Sequence, residues 1–256
     1  MTDGGTFDGT IGALTDMIDH CVATEDRAGY FPALYRVVTR TVRERAGQGV
    51  FQDAARMERF VTTFAGRYID AYTAWRAGKP CSASWQAAFE VTTWRRPVIV
   101  QHLLLGMNAH INVDLAVTAA TIDPVGGMDA VHSDFDAING VLGQLVAGCD
   151  QAIDKVSPWF GLVDKMSHGT EEAVIRFSLR RARAQAWSAA VRLSKLSGAQ
   201  LEAEIQAIDQ ASAGVAYVVA HPGLLLSVPL AIVRTREWKK PSKVIPVLDA
   251  VKPVGA

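Results

Sequence analysis

The chain has 256 residues, with 26 basic and 26 acidic side chains and hence a formal net charge of zero. That balance argues against the basic footprint of a nucleic-acid binder and against a polybasic membrane surface, and it suits a small neutral or apolar partner. The length suffices for a helical core that needs neither metal nor disulfide, and residues 1–256 are read as one domain with 1–6 and 252–256 flexible. Cys21, Cys81 and Cys149 are odd in number, far apart and without metal-ligand spacing, as expected of reduced, mostly buried thiols in a cytoplasmic protein. The opening Met1-Thr2-Asp3-Gly4-Gly5 lacks the basic and then apolar pattern of a signal peptide.

Ile11, Leu14, Ile18 and Val22 recur at helical spacing and predict a first amphipathic helix ending at Ala23. Pro32 suits a first helical turn, and Leu34, Val37, Val38, Thr41 and Val42 form an inward stripe until Gly47-Gln48-Gly49. Phe51, Ala54, Met57, Val61, Phe64, Tyr68 and Tyr72 keep the period of a long third helix to Ala77. Ser84 is the expected N-cap of a helix over Trp85 to Arg95, and Pro97 forces a boundary before a central helix from Val98 to Thr118. Further helices are predicted over Met128 to Val156, briefly after Ser157-Pro158, and from a capped start at Thr170 to Leu196. Leu201 to Ala220, Leu224 to Trp238 and a short piece over Pro241 to Val251 complete the chain. Ser212 to Val233 lacks charged side chains over a membrane-like length, but His221-Pro222-Gly223 and Pro229 interrupt it, so two buried helices joined by a tight turn are expected. No hairpin pattern and no repeat appears. The fold class is therefore all-α, a single compact irregular bundle of about eight to ten helices.

Chemistry is most concentrated in Leu103 to Leu115, where polar side chains stand inside an apolar helix. His110 and Asp114 are i,i+4 neighbours on one face, while Asn112 points about 160–200° away. Such a pair supplies two metal ligands, or an imidazole oriented by a carboxylate, or simply a buried histidine with a structural hydrogen bond. His102 lies about 12 Å from His110 along the axis, too far to share an ion. Asp129, His132 and Asp136 repeat the spacing on the next helix; facing stripes would assemble His110, Asp114, His132 and Asp136 into a zinc, iron or manganese site, and the alternative is a solvated face. The nucleotide, P-loop, zincin and hydrolase-elbow motifs are missing. Arg180, Arg181 and Arg183 either hold an anionic group or form a solvated face with Arg183 near Trp187. Tyr68, Trp75, Trp85, Phe89, Trp94, Trp159 and Trp187 either line an apolar pocket or are core.

The string LLGMNAHINxDL stands intact at Leu104 to Leu115, and with it the chain resembles a bacterial family of unknown function. The likeness extends to Gly29-Tyr30-Phe31 with Leu34-Tyr35 and Thr39, to Phe64-Ala65-Gly66-Arg67-Tyr68, to Asp134-Phe135 with Ile138-Asn139, and to Ala182-Arg183 with Ala186-Trp187. The resemblance implies that Asn108, His110, Asn112 and Asp114 belong to a family signature and raises Asp134 and Asn139 as contributors from the next helix. It lends nothing to His132 or Asp136.

The leading expectation is an enzyme of isomerase or cyclase type acting on a small, largely apolar metabolite, with His110 as general acid/base or hydrogen-bond donor. Asp114 orients and charge-stabilises the imidazole, Asn108 or Asn112 holds a carbonyl or a backbone group, and Tyr68, Trp94, Asp134, Asn139, Arg183 and Trp187 contact substrate. The Ala-, Arg- and Val-rich, Lys-poor composition resembles that of high-GC actinobacterial proteins and suits a biosynthetic role. No cofactor is expected. The alternatives are a hydrolase or oxygenase with one divalent metal, and a non-catalytic small-molecule-binding or scaffold protein. The partner is a small molecule, with no nucleic acid and no membrane, and a homodimer is the alternative to a monomer.

Overall fold

The computed structural model describes residues 5–122, 127–159 and 179–253, and among these the secondary structure is helical with no strand. Helix α1 spans Phe7–Ala23, where Thr6 Oγ1 accepts from the Gly9 amide and so satisfies one of the free N–H groups of the first turn. A 3₁₀ turn over Arg27–Gly29 leads into α2, Tyr30–Gly47. Helix α3 spans Ala54–Arg76, capped by Asp53, and stops where Gly78 takes a positive φ of 67° that a side chain would oppose. Helix α4 is Ala83–Thr92. Ser84 is not its N-cap as expected. It lies in the first turn, and Asp209, from far along the chain, accepts from the Ala83 and Ser84 amides and from Ser84 Oγ.

The predicted central helix is present as a rod in three parts: α5 over Ile99–Ala109, a π-helical stretch over His110–Leu115, and α6 over Ala116–Thr121. By length and apolarity this rod could cross a membrane, but 78% of its most apolar window is buried, which marks it as the core helix. Two apolar cores meet on it. One gathers α1, α2, α4, the later half of α3, the amino-terminal half of the rod and the last helix; the other gathers the earlier half of α3, the carboxy-terminal half of the rod, and parts of the two helices that follow. Gly106 permits a close approach of α2 to the rod, because a Cβ there would stand 2.6 Å from the Phe31 ring.

Helix α7 spans Gly127–Val156, α8 Leu179–Leu193, α9 Gly198–Ala220, α10 Leu224–Arg236 and α11 Pro241–Asp249. The expected capped start at Thr170, and all but the first residues of the short helix after Ser157-Pro158, lie outside the described residues. Helix α8 packs on the π stretch and α6, α9 on α4 and α5, and α11 on α2. Helices α9 and α10 are separate, as expected, with a 65° bend between them. They are not the buried pair anticipated, however: Leu224 and Leu225 are 88% and 73% exposed. Apolar composition specifies what a helix can bury, and nothing among the described residues covers that face.

Helix α11 is integral to the fold. Val244, Ile245 and Leu248 are fully buried, and Arg36 clamps the Asp249 carboxylate with Nε and Nη2 while Nη1 donates to Thr15 Oγ1. Asp249→Ala would leave a buried guanidinium with one hydroxyl partner, and urea denaturation should show a loss of about 2 kcal/mol. An unchanged midpoint would mean that the clamp contributes nothing.

Candidate functional site

Asp114 is 2% exposed, and a carboxylate so buried must be matched by donors. Three elements supply them. Trp85 Nε1 of α4 donates to Oδ2 at 2.8 Å, Arg67 Nε of α3 donates to Oδ1 at 3.1 Å, and His110 Nδ1 lies 3.3 Å from Oδ2. Because the carboxylate accepts at Nδ1, the proton of a neutral imidazole is assigned there and Nε2 carries the lone pair. Burial holds the His110 pKa below the ordinary range, against the Asp114 carboxylate, which pulls it the other way.

The ring is held as firmly as the carboxylate. Phe64 stacks on it with centroids 3.6 Å apart and planes 9° from parallel, and Tyr35 and Phe31 meet it edge to face at 4.4 and 5.5 Å. Nε2 is buried and has no partner, and the buried Tyr35 hydroxyl faces the Thr39 side chain. Both residues line a cavity of about 380 Å³ walled by α2, α3, the rod, α7 and α8. That volume falls in the range of small-molecule sites, about 300–1,000 Å³. Most of the lining is apolar; the polar side chains are Tyr35, Thr39, His110, Cys149, Asp150 and Arg183. Burial pushes the Cys149 thiol up to about 11, which favours the protonated form at neutral pH.

Arg183 is 4% exposed. Its Nε donates to Asn139 Oδ1 at 2.7 Å, its Nη2 to the Phe135 carbonyl at 2.6 Å, and its guanidinium covers the Phe135 ring at 4.2 Å. No carboxylate among the described residues pairs with it, and desolvation lowers its pKa to about 10. It is thus a buried cation on the cavity wall with no ion-pair partner among the described residues, and Asp136 acts on it only from a distance.

The other expected residues fall elsewhere. Asn112 Nδ2 donates to Asn108 Oδ1, and Asn108 Nδ2 to the Ser212 carbonyl and hydroxyl, so the two asparagines pin the rod to α9. Asp134 accepts from the Gln52 and Asp53 amides and from Arg56 Nη2, which closes the start of α3. Tyr68 is packed between Phe31 and Trp85, Asn139 serves Arg183, and Trp187 stacks on His132; none of the three lines the cavity. Trp94 is surface-exposed beyond the end of α4, which stops at Thr92 rather than Arg95. His132 and Asp136 do pair at 3.5 Å, but on the surface, and among the described residues no three His, Cys, Asp or Glu side chains are grouped to hold a metal ion. The four-ligand arrangement is not assembled. Conversely, Arg67, Trp85 and Phe64 are central to the site and were not expected to be. The signal available was the family string containing Phe64 and Arg67; Trp85 stood only among the aromatics that either line a pocket or are core.

An all-helical protein with a buried, carboxylate-oriented histidine on the wall of an apolar cavity is the class these observations define. The chain belongs to DUF5995, a family of unknown function, whose family model matches residues 7–222. No curated protein and no solved structure matches it.

Two outcomes follow from the buried polar groups. Asp134→Ala should lower stability by about 3 kcal/mol or more, because it removes the buried acceptor shared by Arg56 Nη2 and two amides; denaturation at the parent's midpoint would sink that assignment. The second concerns His102, 5% exposed and with both ring nitrogens unpartnered, whose pKa burial lowers from 6.5 to about 3. Between those values the unfolded chain binds the proton and the folded chain does not. Stability therefore falls as pH drops below 6.5, by about 2 kcal/mol at about pH 5 from this one group. Urea titrations at neutral and acid pH should show a smaller acid loss in His102→Gln than in the parent, and equal losses would refute it.

Proposed function

We propose that the protein is an enzyme that encloses a small, largely apolar molecule in the cavity and moves a proton on it with His110. The observation that carries this reading is the unpartnered, buried Nε2 of a histidine whose other nitrogen is committed to Asp114 and whose ring lines the cavity. A neutral imidazole in this tautomer accepts a proton at Nε2, and the Asp114 carboxylate stabilises the imidazolium that forms. Returning that proton to another atom of the same molecule completes an isomerisation or a cyclisation. Nothing else is consumed. The Tyr35 hydroxyl, beside Thr39 on the same wall, is suited to a carbonyl or alkoxide oxygen, and Arg183 to an anionic end of the ligand.

The cavity wall also draws on each of the separated strings that mark the family resemblance: Phe31 and Tyr35, Phe64, Met107 and His110, Ile138, and Arg183. That convergence supports the cavity as the seat of function.

The test is to expose the purified protein to an organic-solvent cell extract and identify retained compounds by mass spectrometry. The parent should retain a compound that the cavity-filling variant Leu142→Trp does not. Turnover of that compound should fall about a hundredfold or more in His110→Gln while retention persists. Retention without turnover by the parent would replace the enzyme with a carrier, and retention by both parent and Leu142→Trp would remove the cavity from the account.

A further inference from the structure

Helix α10 turns Leu224, Leu225, Val228 and Ile232 outward, with 88, 73, 65 and 49% of each exposed. At 3.6 residues per turn these four fall in one stripe about 100° wide. The opposite face is seated: Leu226 and Val233 are buried, and Val233 and Leu230 cluster with Val98 and Trp159. The end of α9 extends the patch with Tyr217 and Val218, 65% and 48% exposed. Tyr217 stacks on His221, and Trp94 meets His221 edge to face, so the amino-terminal end of α10 carries an aromatic rim. A contiguous apolar surface of this kind calls for a partner.

The surrounding charge identifies its chemistry. Arg95 and Arg96 are exposed beside α10, whose Arg234 donates to the Arg96 carbonyl. Arg236, Lys239 and Lys240 are exposed at its carboxy-terminal end. None of these side chains enters an ion pair among the described residues. Glu237, the one acid of that stretch, is buried and accepts from the Ile99 amide. The zero net charge of the whole chain therefore conceals a local excess of cations, which is why no membrane was expected from composition.

We propose that α10 is a docking helix that lies in the headgroup plane of an anionic lipid bilayer. The apolar stripe enters the acyl boundary, Trp94 and Tyr217 sit at the interface, and the basic end meets the headgroups. Thirteen residues of helix reach about 20 Å, short of the roughly 30 Å of a hydrocarbon core, and Ala216 and Val219 tie α9 into the protein, so the helix lies on the membrane and does not span it. A second copy of the chain fits less well, because a two-fold contact on this face brings the unpaired cations together.

Co-sedimentation of the full chain with vesicles separates these cases. Vesicles of phosphatidylcholine mixed with phosphatidylglycerol should bind the protein at least about tenfold more tightly than phosphatidylcholine alone, and added salt should erase the difference. Leu225→Glu and the double variant Lys239→Glu/Lys240→Glu alter solvent-facing positions and should keep the parent's circular dichroism while losing vesicle binding. Binding that ignores lipid charge, or that survives Leu225→Glu, overturns the proposal. So does a parent dimer in sedimentation equilibrium that Leu225→Glu converts to monomer, an outcome that assigns the face to self-association.

Discussion

A carboxylate placed in the middle of an apolar rod is the constraint from which the site is built. Asp114 is removed from water, and its charge is tolerable only because Trp85, Arg67 and His110 bring three N–H groups to two oxygens. Those donors belong to α4, α3 and the rod itself, so satisfying one side chain fixes the mutual placement of three elements. The stacking follows from it. Phe64 lies one turn before Arg67 on α3, so the helix that brings a guanidinium to Asp114 also lays an aromatic ring on His110.

The backbone at this point is unusual as well. The rod is α-helical until His110, becomes π-helical through Leu115 and then returns to α. A π turn is rare in helices and is concentrated at functional sites, since its looser hydrogen-bond ladder is kept only where packing compensates. Here the compensation is visible in the Asn112–Asn108–Ser212 chain on one side of the turn and the Asp114 donors on the other. The polar density of the string thus divides into two tasks. The asparagines hold the turn to α9, and the histidine and aspartate face the cavity side, where one ring nitrogen is left unpaired.

Charge and apolarity are both distributed in ways that totals conceal. A neutral chain contains a buried guanidinium at the cavity and a basic margin around α10, neither of them ion-paired among the described residues. Its apolar residues fill two cores, line a cavity, and also cover an outer helix face. The same apolar composition therefore serves three different physical situations.

The helices themselves were determined locally. The period of apolar residues along α1, α2, α3 and α7, and breaks such as Gly47-Gln48-Gly49 and Gly78, are short-range properties that survive in any environment the chain meets. So is the adjacency of His110 and Asp114, which one turn of helix imposes. The partners of that pair were decided only in three dimensions: Arg67 lies 47 residues before Asp114 and Trp85 lies 29 before it, and the Asn108 bond to Ser212 spans 104. No local period encodes which distant donor will reach a buried oxygen. The burial of α10 was equally beyond the sequence, because hydrophobicity records the free energy a side chain gains when covered, while only the packed chain decides whether anything covers it.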